Sequence, residues 1–361
     1  MRTVGVEEEL LLVDPGTGEP RAVAGAVLVA QARSDDETRL EAELQREQLE
    51  TTTRPQESMG DLAREIRRWR AAASELAREV GADVAALATS PLPVDPSVSA
   101  GKRYRRLVEK FGLTAQEQLT CGCHIHVSVD SDDEGVAVLD RMRPWLSVLL
   151  ALSANSPYWQ GGDSGYGSYR SQVWGRWPSA GPTEAFGSAK GYHAHVRSLL
   201  ETGTLLDEGM IYFDARLSRT YPTVEVRVAD VCLDADDTVL LAALVRGLVE
   251  TSARAWRAGE PPSSAPVGLL RLGAWQAARS GISGGLVHPL TWTPAPAEEV
   301  IGALVDHVTQ ALSDAGDLTL VKESLDRLLS LGGGAGIQRA THARTGDLRA
   351  VVNEAITRTA G

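Results

Sequence analysis

Two glutamates near the amino end of the chain stand in a pattern that suits cation binding. In GVEEELLLV, residues 5–13, Glu7 and Glu9 are two positions apart, so an alternating strand would direct both to one face. Two carboxylates about 4 Å apart repel by about 4 kcal/mol at an effective dielectric constant of about 20. Because cations or solvent must offset that repulsion, the pair indicates either a cation site or an exposed acidic strand edge.

Two histidines alternate with apolar residues further along the chain. In TCGCHIHVSV, residues 120–129, His124 and His126 would share one strand face, with Ile125 and Val127 on the other. One such histidine is usually structural, but two on one face favour a ligand site. Because the cysteines fall partly on the opposite face, a site of histidines and carboxylates is favoured over a cysteine-containing zinc site.

A third segment, TVEVRVAD at residues 223–230, places Glu225 and Arg227 on the polar face of a predicted strand. They could form a simple ion pair across strands. They could equally be a metal ligand beside a phosphate-binding arginine, since a guanidinium presents a planar fork that matches phosphoryl oxygens.

The acidic segment EAELQREQLETTT, residues 41–53, has two interpretations. Glu43, Glu47 and Glu50 would form a solvated acidic stripe on a helix. The ending QLETTT instead has strand character, which would let Glu50 start a strand and face inward.

Together these segments predict a sheet with one apolar face and one face suited to metal binding. Ligation rich in carboxylates suits Mg²⁺ or Mn²⁺, ions that commonly bridge nucleotide phosphates, and this many carboxylates could offset two or three of them. The sequence has neither GxxxxGK[ST] nor a strand-borne GxGxxG. If ATP binds, it therefore binds through metals and arginines. The predicted polar face carries Glu7, Glu9, His124, His126, Glu225 and Arg227.

Composition narrows the class of protein. The 361 residues carry 36 basic and 48 acidic side chains, a formal charge of -12, which disfavours nucleic acid and anionic membranes as partners. Three sparse cysteines and the lack of a long apolar run or signal peptide predict a cytoplasmic protein without membrane segments. We expect one catalytic domain over residues 1–361.

The elements that must position these residues mix helices and strands without a regular βαβ rhythm. Helical spacing covers residues 61–80, 135–154, 236–256 and several segments after Pro296, and strand alternation covers 4–13, 83–89, 118–129, 210–217 and 223–228. This mixture predicts an α+β fold, with an antiparallel sheet backed by helices. Residues 160–191 are predicted to form a long ordered loop, and residues 259–266 a surface linker.

The motifs GVEEEL, GCHIHV, NSPYW with GSYRSQVW, and TVEVRVAD occur in an order that resembles the type 2 glutamate-cysteine ligases, also called carboxylate-amine ligases, over residues 4–230. The resemblance implies the curved, funnel-like antiparallel sheet of the glutamine synthetase-like superfamily. It also implies that ATP activates a carboxylate, by default the γ-carboxylate of glutamate, as an acyl phosphate. An amine, by default cysteine, would then displace phosphate.

The resemblance also implies roles for individual residues. Arg227 would contact the transferred phosphoryl group beside Glu225, and these two are the expected catalytic pair. Arg170, in SYRS, would hold the acceptor carboxylate. Independently of the resemblance, Tyr169 of the 160–191 loop is a candidate substrate contact, although aromatic residues of an ordered loop more often pack against the body of the protein. His126 could contact nucleotide or substrate, or only support the sheet. The expected metal ligands are Glu7, Glu9, Glu43, Glu50, His124 and Glu225.

Other functions remain open from the sequence alone. The histidines and glutamates could serve a metal-dependent hydrolase. The scaffold could also bind a nucleotide or amino acid without turnover. Small molecules are the expected partners, and a homodimer is as compatible with the sequence as a monomer.

Overall fold

Strands and helices alternate irregularly along the computed structural model, which describes residues 1–33 and 40–360. The strands are β1 (Val4–Val13), β2 (Leu40–Ala42), β3 (Gln48–Thr52), β4 (Asp83–Ala85), β5 (Gly122–Ser128), β6 (Tyr158–Trp159), β7 (Gly162–Asp163), β8 (Ala215–Leu217), β9 (Thr223–Asp230), β10 (Gly285–Val287) and β11 (Pro294–Pro296). The helices are α1 (Ala24–Gln31), α2 (Met59–Glu79), α3 (Lys102–Phe111), α4 (Leu113–Gln116), α5 (Asp132–Met142), α6 (Leu146–Ser153), α7 (Arg170–Trp174), α8 (Ala189–Glu201), α9 (Ala235–Arg257), α10 (Val267–Ser280), α11 (Ala297–Ala315), α12 (Leu318–Leu331), α13 (Gly333–Thr345) and α14 (Leu348–Ala360). Two 3₁₀ helices lie at Arg143–Trp145 and Glu208–Met210.

The main sheet is antiparallel throughout the described residues. Seven strands form it in the order β2-β3-β1-β5-β9-β8, with β4 paired to β1 off that path. Every pair among these strands is antiparallel. The predicted α+β class, with an antiparallel sheet backed by helices, is confirmed.

Helices α2 and α9 cover the apolar face of the sheet, where they contact β1 and, for α9, β5. The Ser58 side chain accepts a hydrogen bond from the Asp61 N–H (3.3 Å) and caps α2, whose buried Leu62 and Ile66 recur at helical spacing. No helix within the described ranges is both long and apolar enough to cross a membrane.

One buried ion pair interrupts the apolar face. Glu8 of β1 accepts hydrogen bonds from Arg70 of α2 at both carboxylate oxygens (2.7 and 2.8 Å), and the Thr238 hydroxyl donates a third bond (2.6 Å). Because both charges are fully paired, the network fixes α2 and α9 against the centre of the sheet. It also fixes which face of β1 carries Glu7 and Glu9.

Three local expectations need correction. The helix expected over residues 135–154 is divided at Arg143–Trp145, where Pro144 has no backbone N–H to donate to a continuous α-helix. The helical interpretation of residues 41–53 is wrong, because β2 and β3 flank an irregular connection there. The segment 160–191 is not one loop, since it contains β7 and α7 and ends within α8.

Candidate active site

The pairing of β1 with its two neighbours brings the first carboxylates and imidazole together. Glu7 lies opposite His124 of β5, and Glu9 lies opposite Glu50 of β3. Directly opposed residues in antiparallel strands project from the same face with Cβ atoms about 5 Å apart. The strand interpretation of Glu50 is therefore confirmed.

These side chains line a cavity of about 240 Å³, here called the acidic cavity. It gathers most of the residues that the sequence predicts as metal ligands, together with one predicted catalytic arginine. Tyr212, Arg103 and Arg216 also line it. The predicted residues on its wall are Glu7, Glu9, Glu43, Glu50, His124 and Arg227.

On the β1 and β3 side of the acidic cavity, the carboxylates are not balanced by positively charged side chains. Burial, a hydrogen bond that protonated Glu50 donates to Glu43, and the charge of Glu43 raise the pKa of Glu50 well above its usual value. Burial and Glu43 also raise the pKa of Glu9, although Glu9 accepts a hydrogen bond from the Gly122 N–H (2.6 Å). Such clustering stabilises either a retained proton or a bound cation.

Glu7 is the exception among these carboxylates. Its Oε2 lies 3.2 Å from His124 Nδ1, and its Oε1 lies 3.2 Å from His126 Nε2. Burial raises the pKa of Glu7, but the two imidazoles outweigh burial and the pKa is lowered. Glu7 therefore stays ionised and orients both rings.

His124 is poised as a metal ligand. Burial and the nearby Arg227 lower its pKa, so the ring is neutral at pH 7. Its Nδ1 is closer to Glu7 (3.2 Å) than to Arg227 (3.5 Å), which favours the tautomer that donates to Glu7. Nε2 then keeps a free lone pair; it is buried without a hydrogen-bond partner among the described residues, 4.0 Å from Glu9 Oε1.

One compact ligand set combines all three main strands of the site. Glu7, His124 and Glu225 each offer a ligand atom, and these atoms lie within 4.8 Å of one another. Two carboxylates and one imidazole fit Mg²⁺ or Mn²⁺, for which oxygen ligands are preferred. Glu9, Glu43 and Glu50 present a second oxygen-rich group on the same cavity.

Two arginines hold Glu225. Arg216 of β8 donates to both carboxylate oxygens (2.7 and 3.1 Å), and Arg227 pairs with Oε1. Burial raises the pKa of Glu225, but Arg227 and Arg216 outweigh it and lower the pKa to about 2. Arg227 Nε is buried and has no hydrogen-bond partner within the described part of the chain. The guanidinium therefore keeps donor capacity for an anionic ligand.

A second cavity of about 520 Å³, here called the large cavity, adjoins the acidic cavity. Arg227 and Trp174 line both of them. The large cavity also contains Asp214 and Arg271, and burial raises the pKa of Asp214 to about 7 despite the nearby arginines. A ligand in the large cavity would therefore lie close to one bound at Arg227.

Arg170 lines the large cavity rather than the acidic one. Its guanidinium lies 5.5 Å from the ring centre of Trp174, and its Nη1 lies 4.0 Å from Asp230 Oδ1. It packs directly on Gly122, where a Cβ would overlap Nη2 and lie 2.9 Å from Cζ. This contact explains why the GCHIHV motif begins with glycine.

The remaining predicted residues lie around these cavities. His126 Nδ1 is 3.1 Å from the Thr223 hydroxyl, so the ring is held between β9 and Glu7. Tyr169 packs against the rings of Trp159 and Tyr166 and lines neither cavity. The structure therefore does not bring Tyr169 to the other predicted residues.

The profile of Glutamate-cysteine ligase family 2 (GCS2) matches residues 3–354. The chain belongs to this family. A Streptomyces avermitilis protein that carries the provisional name glutamate–cysteine ligase 2-1 is 59% identical over 362 residues, covering 100% of both chains. A Streptomyces coelicolor protein with the provisional name glutamate–cysteine ligase 2 is 59% identical over 360 residues, 99% of each chain. The chain is therefore an enzyme of the carboxylate-amine ligase type.

Solved structures share the fold of this family member. The glutamate–cysteine ligase of Francisella tularensis, determined in complex with AMP, has a TM-score of 0.72 at 14% identity, covering 99% of this chain and 88% of that one. A bifunctional glutathione synthetase from Pasteurella multocida has a TM-score of 0.71 at 18% identity, covering 99% of this chain and 52% of that one. At these identities the likeness shows the fold alone.

Sequence reasoning missed several residues that line the two cavities of this ligase. Arg216 alternates with the buried Ala215 and Leu217, and that alternation is the signal that could have found it. Tyr212 and Asp214 lie within residues 210–217, whose alternation predicts a strand, but β8 covers only Ala215–Leu217 and the chain before it is irregular. Only the folded chain brings them beside Arg227.

Proposed function

We propose that the protein is an ATP-dependent ligase that joins the γ-carboxylate of glutamate to an amine, with cysteine as the default acceptor, through an acyl phosphate. The observation that carries the proposal is the acidic cavity, in which clustered carboxylates and His124 adjoin Arg227. Family membership and the AMP bound by the Francisella relative support the use of ATP. Residues 1–361 would act as one catalytic domain.

Two or three Mg²⁺ or Mn²⁺ ions are the proposed companions of the nucleotide. One group of ligands is Glu7, His124 and Glu225, whose atoms already converge. The other is formed by Glu9, Glu43 and Glu50, whose mutual repulsion a cation would relieve; burial and the charge of Glu43 raise the pKa of Glu9 and of Glu50. When bound, such ions would offset the negative charge of the nucleotide phosphates.

In phosphoryl transfer, the residues of the chain position the reacting groups and neutralise the charge on the phosphoryl oxygens. A substrate carboxylate oxygen attacks the γ-phosphorus of ATP, the bond to ADP breaks, and ADP leaves with the bonding electrons. Arg227 lies where its free donor capacity can meet the phosphoryl oxygens, and Glu225 and Trp174 hold the guanidinium in place. Arg216 holds Glu225 from the other side, so both catalytic side chains are fixed before substrate arrives.

Supporting roles are proposed for the residues around the cavities. Arg170, held near Asp230 and stacked on Trp174, would contact a substrate carboxylate in the large cavity. His126 would orient Glu7 and reach the nucleotide or substrate from beside Thr223. Tyr169 would act only at the edge of the site, because its ring is engaged with other aromatic rings.

ATP turnover in defined variants tests this function. ADP release should require glutamate and Mg²⁺ or Mn²⁺, and hydroxylamine should trap the acyl phosphate as a hydroxamate. Arg227→Lys and Glu225→Gln should each lower hydroxamate formation by about 10²–10³-fold, the usual cost of removing one preorganised charge-stabilising group.

Glu134→Gln is the matched control, because Glu134 is also buried and paired with two arginines but lies outside both cavities. It should keep ATP turnover. Unchanged turnover in Arg227→Lys would contradict the assignment. A protein that hydrolyses substrates with bound metal and no nucleotide would point instead to the hydrolase that the sequence left open.

A further inference from the structure

The large cavity has charged groups that suit an amino-acid acceptor. Its apolar wall, however, is larger than the side chain of cysteine would cover. Resting on the proposed function, we propose that it takes the amine acceptor and that this acceptor is an α-amino acid with an apolar side chain larger than that of cysteine. Asp214 would receive the acceptor's ammonium group and Arg271 its carboxylate.

The position of the large cavity suits an acceptor. It shares Arg227 and Trp174 with the acidic cavity, where the acyl phosphate is proposed to form. The backbone N–H of Arg227 donates a hydrogen bond to the backbone carbonyl oxygen of Asp214 (2.9 Å). This bond places Asp214 beside the arginine proposed to bind the phosphoryl group. An amine held at Asp214 is therefore within reach of the activated carboxylate.

Two charged groups of this cavity are left without an ion-pair partner. The Asp214 side chain accepts no hydrogen bond from the described residues, and the nearby charges are Arg271 and Arg170. Arg170 lies 4.0 Å from Asp230 and stacks on Trp174, so it balances the charge of Asp214 only in part. Arg271 is exposed and forms no ion pair within the part of the chain described. An α-amino acid supplies the opposite charge to each of the two free groups.

Apart from Ser147, Ser171 and Gln172, the uncharged part of the cavity wall is apolar or glycine. Trp275 and Leu272 of α10 line it while 46% and 62% exposed, respectively, and Leu146, Leu150 and Phe213 add to the wall. Exposed large apolar residues at a concave site mark a ligand surface more often than isolated ones do. The volume of about 520 Å³ falls in the range of roughly 300–1,000 Å³ that is typical of small-molecule sites. Cysteine would leave most of that apolar surface in water.

The chemistry at Asp214 balances without further reagents. The acceptor ammonium gives one proton to the Asp214 carboxylate and becomes a neutral amine. Its nitrogen forms a bond to the acyl carbon, the carbon–oxygen bond to phosphate breaks, and phosphate leaves with the bonding electrons and the second amine proton. Burial keeps the pKa of Asp214 at about 7, which suits a group that takes up a proton and then releases it to solvent.

The test separates activation from acceptor choice. Hydroxamate formation with hydroxylamine reports the acyl phosphate alone, and mass spectrometry of amide products reports the acceptor among cysteine, alanine, leucine, phenylalanine and tryptophan. We expect kcat/KM for leucine or phenylalanine to exceed that for cysteine by at least about tenfold, the discrimination that one or two methylene groups give in an apolar pocket.

Substitutions tie that preference to the cavity. Trp275→Ala should reduce the ratio of phenylalanine to cysteine by about tenfold while hydroxamate formation is kept. Asp214→Asn should lose transfer to amino acids yet keep transfer to hydroxylamine, which is largely unprotonated at neutral pH. Trp256→Ala is the matched control, because Trp256 is also a partly exposed tryptophan but lies outside both cavities.

Each outcome decides between the two proposals. If the protein forms no hydroxamate, the proposed function fails, and calorimetric binding of phenylalanine then tests the cavity by itself: weaker binding to Trp275→Ala and Arg271→Gln supports it, and equal binding refutes it. If hydroxamate forms but cysteine is preferred, or if Trp275→Ala keeps the wild-type ratio, the acceptor inference is wrong and the ligase function stands.

Discussion

Binding of Mg²⁺ or Mn²⁺ to the acidic cavity should release protons. Burial and the adjacent Glu43 raise the pKa of Glu50 well above its usual value, and Glu7 and Glu9 add further repulsion. A pair of carboxylates about 4 Å apart repels by about 4 kcal/mol at an effective dielectric constant of about 20, so the group holds a proton to a higher pH than isolated glutamates do. Since a ligating carboxylate must be ionised, metal binding should release about one proton per protein.

Titration calorimetry in buffers of different ionisation enthalpy measures this release. The apparent heat of metal binding at pH 6 should change linearly with the buffer ionisation enthalpy, with a slope of about one proton. Because the release couples affinity to pH, Mn²⁺ should also bind more tightly as the pH is raised from 6 to 8. Both effects should be lost or much reduced in Glu50→Gln.

A matched control distinguishes the cavity from burial in general. Glu47 is also buried with a raised pKa, but it accepts hydrogen bonds from the Ser97 N–H and does not line the acidic cavity. Glu47→Gln should leave the proton release unchanged. A slope near zero in the wild-type protein, or an equal slope in Glu50→Gln, would refute the shared-proton reasoning.

Three further perturbations test other parts of the structure. Gly122→Ala should destabilise the protein by about 1–3 kcal/mol in urea denaturation, because the added methyl must displace Arg170; wild-type stability would contradict this packing. Glu8→Gln should cost about 3–5 kcal/mol, since it leaves the buried Arg70 charge uncompensated; a loss under 1 kcal/mol, also measured in urea, would count against it. The lowered pKa of Glu225, about 2, implies that its ion pairs stabilise the fold above about pH 4.5 and lose that effect as the pH falls toward 2. The difference in unfolding free energy between wild type and Glu225→Gln should therefore shrink from pH 6 to pH 3, and a constant difference would disagree.

Much of the sheet follows from alternation that the sequence displays directly. The spans predicted at residues 4–13 and 223–228 agree with β1 and β9 because each has one continuous apolar face. The helix predicted over residues 135–154 was too long because its apolar spacing continues through Pro144 while its hydrogen bonding does not. Helix α3 was not predicted, although Tyr104, Leu107, Val108 and Phe111 stand at helical spacing, because the segment is short and most of its ten residues are charged.

For the site, the sequence predicts only which residues of one strand share a face. Alternation places Glu7 and Glu9 together, but their partners Glu50 and His124 come from pairing register, which depends on the whole sheet. Asp214 was missed although it alternates with Phe213 and Ala215, because one acidic residue on a predicted strand does not indicate which charged groups it will face.

The central position of β1 has a consequence for how the protein is made. Its pairing partner β5 and the next strand, β9, are synthesised much later, since Glu225 follows Glu7 by roughly 220 residues. At about 5–20 residues per second, the amino-terminal strand must wait roughly 10–45 s on the ribosome before the last ligand strand emerges. During that interval β3 and β4, which pair with its LLLV end, are synthesised early, whereas His124 and Arg227, which lie beside its glutamates, follow only later. The apolar end of β1 can therefore be covered well before its acidic face is balanced, and the site is complete only when its final strand arrives.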